Sequence, residues 1–145
     1  MSASPAAGYS GTPLPKKLGI RPNHRVALLR APEGFEQRTL GELPPGVSVR
    51  ARARGPLDVI VAFVRTGAEL ERGLETWPKA LDPAGGLWIA WPKRSSGVST
   101  DLSEGLVREA GLATGLVDNK VCAIDATWSG LRFVVRLADR PRRLG

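Results

Sequence analysis

The sequence contains few of the side chains that metal sites and nucleophilic catalysts require. Among its 145 residues it has one cysteine, Cys122, and one histidine, His24. A single cysteine excludes an intrachain disulfide, and the apolar run from Val121 to Ile124 predicts that the thiol is buried and reduced. Because histidine, cysteine and carboxylates form no cluster with metal-ligand spacing, the sequence predicts no metal site. It also offers no recognisable set of nucleophile, base and orienting group, so the catalytic residues are unassigned.

Long hydrophobic segments are also missing. No apolar run approaches the roughly 18 residues that a membrane-spanning helix needs. The first residues lack the basic region and apolar core of a signal peptide. Together with the low cysteine content, these absences predict a soluble protein in the reducing cytoplasm, with no membrane partner.

The net charge of +7 is unevenly distributed along the chain. The excess of cations lies in the first third of the sequence and in a tail that contains Arg140, Arg142 and Arg143. The pattern predicts no continuous basic helix, and most basic residues have no aromatic neighbour on which a base could stack. A solvated surface with a basic tail is therefore favoured, and a nucleic-acid partner is the less favoured alternative.

Composition divides the chain into three parts. Residues 1–13 are rich in Ser, Ala, Gly and Pro, which predicts a flexible N-terminal arm. Residues 139–145 form a basic C-terminal tail. The sequence is 42% hydrophobic, which is enough for residues 14–138 to form a single domain with its own core.

Strand and helix patterns alternate through this domain. Apolar runs predict four parallel strands and one antiparallel strand, namely Arg25–Arg30, Asp58–Val64, Leu87–Trp91 and Lys120–Asp125, then Leu131–Leu137. A tight turn at Thr127–Gly130 would join the last two strands. This alternation predicts a three-layer, Rossmann-like α/β domain, with a mostly parallel sheet and a C-terminal antiparallel hairpin.

A further strand pattern precedes Asp58. Valine and alanine alternate with polar residues from Val47 to Arg54, as in a half-exposed strand. The residues left before Asp58 are too few for an ordinary parallel crossover of a dozen or more. We therefore expect the strand to stop near Arg50, with the rest running back extended; an antiparallel edge strand is the alternative.

The segment after the Leu87–Trp91 strand carries the strongest signal for a binding site. Pro92 ends the strand, a polar loop follows, and Asp101 is placed to cap a helix with Glu104 in the capping-box position. Loops at the carboxyl ends of parallel strands form the ligand-binding edge of such sheets. We expect this loop to meet the turn after the Lys120 strand, its neighbour, and to form an anion-accepting rim. The predicted rim residues are Lys93, Arg94, Ser95, Ser96, Gly97, Thr127, Trp128 and Ser129.

Several motifs resemble known families. The segments Lys17–Pro22, Leu57–Val61 and Ala80–Gly86, each before or within a strand, resemble class I methyltransferases. More closely, four segments resemble a bacterial family catalogued as domain of unknown function 3052, namely Gly8–Leu14, Ala31–Phe35, Trp91–Lys93 and Thr127–Leu131. The resemblance implies a compact Rossmann-like domain and supplies no established activity or catalytic residue.

The chain departs from working methyltransferases at two positions. The loop after the first strand, Arg30–Gly34, has one glycine and a proline where such enzymes carry a Gly-x-Gly loop. Arg50, Arg52 and Arg54 stand where an acidic residue would hold the ribose hydroxyls. The sequence therefore predicts no cofactor.

These observations support three hypotheses about function. The leading one is a non-catalytic, Rossmann-like binding or regulatory module that senses an anionic small molecule or contacts a protein partner. The alternatives are a divergent methyltransferase-like transferase and a weak nucleic-acid-associated protein that uses the basic arm and tail. Fold-level analogy alone does not decide among them.

Overall fold

Six strands form one sheet in the computed structural model, which describes residues 11–141. The predicted arm residues 1–10 and tail residues 142–145 lie outside the described residues. The strands, in chain order, are β1 (Arg25–Leu29), β2 (Ser48–Arg50), β3 (Leu57–Phe63), β4 (Leu81–Pro92), β5 (Val117–Ala123) and β6 (Trp128–Val134). Their spatial order is β2-β1-β3-β4-β6-β5.

Five of the six strands run in one direction. The pairs β1–β2, β1–β3 and β3–β4 are parallel, and β6 is antiparallel to both β4 and β5. The mostly parallel α/β sheet with a C-terminal antiparallel hairpin is thus confirmed. The expectation that β4 and β5 are neighbours is wrong, because β6 lies between them.

Helices pack on both faces of the sheet. The helices α2 (Gly67–Leu74), α3 (Trp77–Ala80) and α4 (Glu104–Leu112) bury Leu70, Trp77 and Val107 against one face. The opposite face is covered by α1 (Leu14–Lys17), the segment that follows it, and a π-helix (Phe35–Leu40). Strand alternation sends Ile60 and Ala62 to the first core, and Val61 and Phe63 to the second. This arrangement gives the three layers that the sequence predicts.

The short β2 strand behaves as expected. It ends at Arg50, and β3 begins at Leu57 on the other side of β1. The chain therefore crosses β1 in the six residues 51–56, with Ala53 packed against the core. A strand that stopped later would leave too little chain for this crossing.

The predicted N-cap of α4 and the predicted position of the hairpin turn are both wrong, because Asp101 and Asp125 accept hydrogen bonds from other backbone amides. Ser103, and not Asp101, caps α4, since its Oγ accepts from the Leu106 amide at 3.2 Å. Asp101 instead accepts from the Gly67 amide at 2.8 Å and stabilises the first turn of α2. The final hairpin turns at residues 124–127, where Asp125 Oδ1 accepts from the amides of Thr127 and Trp128, both at 2.8 Å.

The amino ends of β1 and β3 are joined by a charge pair. Asp58 Oδ2 accepts from the Arg25 amide at 2.7 Å and from Arg25 Nε at 3.1 Å. A second carboxylate, Asp82, lies 3.7 Å from Arg25 Nη2. Burial alone would raise the pKa of Asp58, but the hydrogen bonds from Arg25 outweigh it and hold that pKa below its ordinary value.

No helix within residues 11–141 has the length and apolar character to cross a bilayer.

Candidate functional site

Charged loops follow the carboxyl ends of β1, β3 and β4. Arg30 follows β1 and adopts a left-handed conformation, with φ of 60°. Its guanidinium pairs with Glu69, whose other carboxylate oxygen accepts from the Arg65 amide at 2.7 Å. Glu69 therefore ties the loop after β1 to the loop after β3. This edge is where an open α/β sheet binds its ligand.

The structure brings together the two segments of the predicted rim. The Lys93 amide donates to the Thr127 carbonyl at 2.7 Å, so the loop after β4 adjoins the hairpin turn. Arg94–Ser96 form a 3-10 turn that ends at Gly97, with φ of 78°. Ser96 Oγ donates to the Lys93 carbonyl and accepts from the Val98 amide, so this hydroxyl is used within the loop. Arg94 and Ser95 are exposed.

The hairpin side of the rim is less available to a ligand. Trp128 is 5% exposed, and its ring meets Phe63 edge-on with 5.0 Å between centroids. Its indole is thus mainly a core contact, although the Arg65 guanidinium lies 6.0 Å from the ring. Ser129 lies within β6, paired with Trp91. Within residues 11–141, the rim residues line none of four clefts, which lie at the carboxyl ends of β1 and β2, beside Arg52, between α2 and α4, and beside α1. Ligand binding by the rim stays a prediction.

A better-defined cleft lies at the carboxyl ends of β1 and β2. It has a volume of about 470 Å³, with residues between Ala31 and Gln37 on one side and Val49–Ala51 on the other. We call it the β1–β2 cleft. Since β1 and β2 are parallel neighbours, both loops open at the same edge. Sequence reasoning missed this cleft as a binding site, because it took the single glycine and the proline of the loop after β1 as the loss of a cofactor loop.

The β1–β2 cleft combines apolar walls with a few polar groups. Leu28 and Val49 provide apolar surface, while Glu36 and Gln37 provide a carboxylate and an amide. Arg50 stands at the end of β2, and its Nη1 donates to the Arg54 carbonyl at 3.2 Å. Two residues further on, Arg52 lines a separate cleft of about 520 Å³ with Arg72 and Glu75.

Gly34 is the glycine of the loop after β1. Its φ of 77° is in the left-handed region that favours glycine. A Cβ at this position would lie 3.1 Å from Nε and Cζ of Arg38, so the Arg38 guanidinium covers the open side of the glycine. A ligand that approached the backbone at Gly34 would have to displace this side chain. Within residues 11–141, no group of three or more His, Cys, Asp or Glu side chains is placed to hold a metal ion.

No protein-family model matches the chain, and no curated protein matches it in sequence. The resemblance to domain of unknown function 3052 therefore stays a prediction. Solved structures match by fold. An S-adenosylmethionine (SAM)-dependent methyltransferase from Aquifex aeolicus superimposes with a TM-score of 0.59 at 16% identity, over 83% of this chain and 87% of that chain.

Two further structures carry an adenosyl ligand. The DhpI–SAH complex has a TM-score of 0.58 at 15% identity, over 90% of this chain and 83% of its own. Aeropyrum pernix fibrillarin, with natively bound S-adenosyl-L-methionine, has a TM-score of 0.57 at 15% identity, over 85% of this chain and 69% of the fibrillarin chain. The prediction of no cofactor is contradicted by these structures, because their fold is one that binds an adenosyl cofactor. The chain has the Rossmann-like α/β fold of SAM-dependent methyltransferases.

Proposed function

We propose that the protein is a divergent methyltransferase-like transferase that binds an adenosyl cofactor in the β1–β2 cleft. The observation that carries the proposal is the fold shared with SAM- and SAH-bound structures, together with an open cleft at the carboxyl ends of β1 and β2. The fold favours this hypothesis over the non-catalytic module, which was the leading one from sequence.

The residues of the cleft fit an adenosyl group in an unusual way. A volume of about 470 Å³ is within the usual range of small-molecule sites. Leu28 and Val49 offer apolar surface to a purine, and Gln37 offers an amide donor and acceptor. Since Arg50 occupies the end of β2, the carboxylate for the ribose hydroxyls would come from Glu36 on the π-helix. When bound, the cofactor would supply an activated methyl group.

Titration calorimetry with SAM and SAH tests the proposal. We expect saturable binding of both ligands. Removing one charge-assisted hydrogen bond costs about 1.5–3 kcal/mol, so Glu36→Gln should weaken binding at least about tenfold. Glu33→Gln is the matched control, because Glu33 is exposed in the same segment and does not line the cleft. Absence of saturable binding, or equal effects of the two substitutions, would overturn the proposal.

The predicted rim enters this proposal as a second polar region on the same edge of the sheet. We propose that Lys93, Arg94, Ser95, Gly97, Thr127 and Ser129 accept an anionic group of a ligand, while Ser96 holds the loop in shape through its hydroxyl. What supports this is the Lys93–Thr127 hydrogen bond, which places two cations beside the hairpin turn. Trp128 contributes packing to the rim through Phe63. The effect of removing both cations on phosphate binding measures this part of the proposal.

A further inference from the structure

A second, larger cleft shares no lining residue with the β1–β2 cleft. It has a volume of about 890 Å³ and is lined by α1, the chain entering β1, the segment after the π-helix, and one residue each of β5 and β6. Five cations line it, and Glu42 is the one carboxylate among its lining residues. The cations are Lys16, Lys17, Arg21, Lys120 and Arg132. We call this the basic cleft.

The cations of the basic cleft are not neutralised. Among residues 11–141, every ion pair belongs to Arg25, Arg30 or Arg108, and none to these five side chains. Lys17 Nζ donates to the Ala123 carbonyl and Lys120 Nζ to the Lys17 carbonyl, both at 3.4 Å. These are long contacts with neutral acceptors, so the positive charge of the cleft persists.

Arg132 places a partly desolvated guanidinium in the wall of the basic cleft. The side chain lies over Gly86 of β4, where an added Cβ would be 2.3 Å from its Nε. It is half-buried, and its Nη1 donates to Asn119 at a long 3.4 Å. Burial, and secondarily the charge of Arg140, lower the pKa of Arg132. A guanidinium that loses hydration and lies near a like charge would be stabilised by an anion bound beside it.

The composition of the walls narrows the class of anion. Among residues 11–141, the lining contains no aromatic side chain, so this part of the basic cleft offers neither a base-stacking surface nor the aromatic anchor typical of protein interfaces. Its volume far exceeds that of a single phosphate. Several cations without a stacking surface suit contacts to a phosphate backbone, which fix no sequence. We propose that the basic cleft binds the phosphate backbone of a nucleic acid, without sequence preference and independently of the adenosyl site.

Separated segments supply this surface, which explains why the sequence did not show it. Lys16 and Lys17 are more than a hundred residues from Lys120 and Arg132 along the chain, and the fold places them around one cleft. Part of the positive charge that the sequence analysis assigned to a solvated surface and a tail therefore lines the basic cleft.

Fluorescence anisotropy with a labelled single-stranded RNA, titrated into the full chain across a range of NaCl concentrations, tests the proposal. The test variant is Lys17→Gln/Lys120→Gln/Arg132→Gln. For single strands the logarithmic salt slope changes by about 0.7 for each phosphate contact, so the variant should lose about two units of slope. The matched control is Arg50→Gln/Arg52→Gln/Arg54→Gln. It removes the same number of positive charges from the end of β2 and the segment after it, outside the basic cleft, and should keep the wild-type slope. Two RNAs of unrelated sequence should bind within about threefold of each other.

Several outcomes would overturn the proposal. Equal losses in the two triple variants would show that net charge alone drives binding. Competition by polyglutamate as strong as that by RNA would indicate an acidic protein partner, and strong sequence selectivity would exclude a backbone site. If the triple test variant does not fold, Lys120→Gln alone, at an exposed position, should still reduce the slope by about 0.7 units. SAM titration of the test variant separates the two proposals. Because the β1–β2 cleft shares no lining residue with the basic cleft, the variant should bind SAM like the wild type.

Discussion

Two clusters of charge on the same sheet have opposite relations to stability. At the amino ends of β1 and β3, Arg25 contacts two carboxylates, Asp58 at 3.1 Å and Asp82 at 3.7 Å. In the basic cleft, the lining within residues 11–141 has five cations and one carboxylate, and Arg132 is half-buried without an acidic partner in that range. The first cluster joins two strands, whereas in the second the half-buried Arg132 loses hydration and lies near the like charge of Arg140. A cation's neighbours, and not its type, decide which effect it has.

Removing the carboxylate of the paired cluster should have the largest effect on stability. Asp58→Asn leaves the Arg25 guanidinium and amide without their charged acceptor, which costs about 1.5–3 kcal/mol of unfolding free energy at pH 7. Asp82→Asn is the control and should cost less than about 1 kcal/mol, because its contact with Arg25 is longer. Urea denaturation measures both. Equal losses in the two variants would contradict the role given to Asp58.

The pH dependence of the same variant sharpens this result. The pKa of folded Asp58 is below its ordinary value, so its contribution to stability is complete above the unfolded-state pKa of about 3.9. That contribution is lost as the pH falls through the folded-state pKa. The stability deficit of Asp58→Asn should therefore stay constant from pH 7 to about 5, then shrink in more acidic solution. A deficit that persists undiminished at pH 2 would show that packing, and not charge, causes it.

Removing a cation from the basic cleft should have a smaller effect of opposite sign. Arg132→Met keeps an unbranched apolar stem over Gly86 and relieves the desolvation and the repulsion from Arg140. We expect the free energy of unfolding to rise by up to about 1 kcal/mol. Arg25→Met is the matched comparison and should lose stability like Asp58→Asn. If both Arg-to-Met substitutions destabilise the fold equally, the contrast between the clusters fails.

The exposed rim should show the smallest effect on stability. Lys93→Ala/Arg94→Ala removes two cations that have no ion pair among the described residues, so stability should change by less than about 1 kcal/mol. The rim's share of inorganic phosphate binding, measured by calorimetry in the Lys17→Gln/Lys120→Gln/Arg132→Gln background that removes cations of the basic cleft, should nevertheless be abolished if the rim accepts an anion. Lys79→Ala/Arg136→Ala, two other exposed cations, is the control. Unchanged phosphate binding in the rim variant would show that its charges are only solvated.

The sequence predicted the core strands because burial determines their composition. The runs around Ile60 and Trp88 are continuous and apolar, and both lie at the centre of the sheet. The sequence did not predict the ends of strands and helices that are set by the hydrogen bonds of one side chain. The hairpin turn was placed too late because Asp125, by accepting from two amides, starts β6 at Trp128. Asp101 was assigned to α4 because nothing in the sequence shows that the Gly67 amide lies near it.

The candidate sites divide in the same way. The contact between Lys93 and Thr127 was predicted from a wrong strand order, since β4 and β5 are not neighbours; it arises because β6, which starts directly after Thr127, pairs with β4. The basic cleft depends on tertiary folding, which places α1 beside Lys120 and Arg132. The position of Arg38 over Gly34 depends on the π-helix Phe35–Leu40, whose hydrogen-bonding pattern the sequence does not specify. Periodicity predicts which residues are buried, but it does not predict which distant side chains share a surface.

The two outer strands have a consequence for self-association. A sheet whose border exposes unpaired amides and carbonyls invites another chain to add a strand, which leads to aggregation. Here β2 has only three residues and ends in Arg50, followed by Arg52 and Arg54. The opposite border, β5, has a register irregularity between Asp118 and Lys120 and exposes Lys120. Brevity and arginine charge at β2, and irregular pairing and an exposed lysine at β5, thus disfavour intermolecular strand pairing at the two borders.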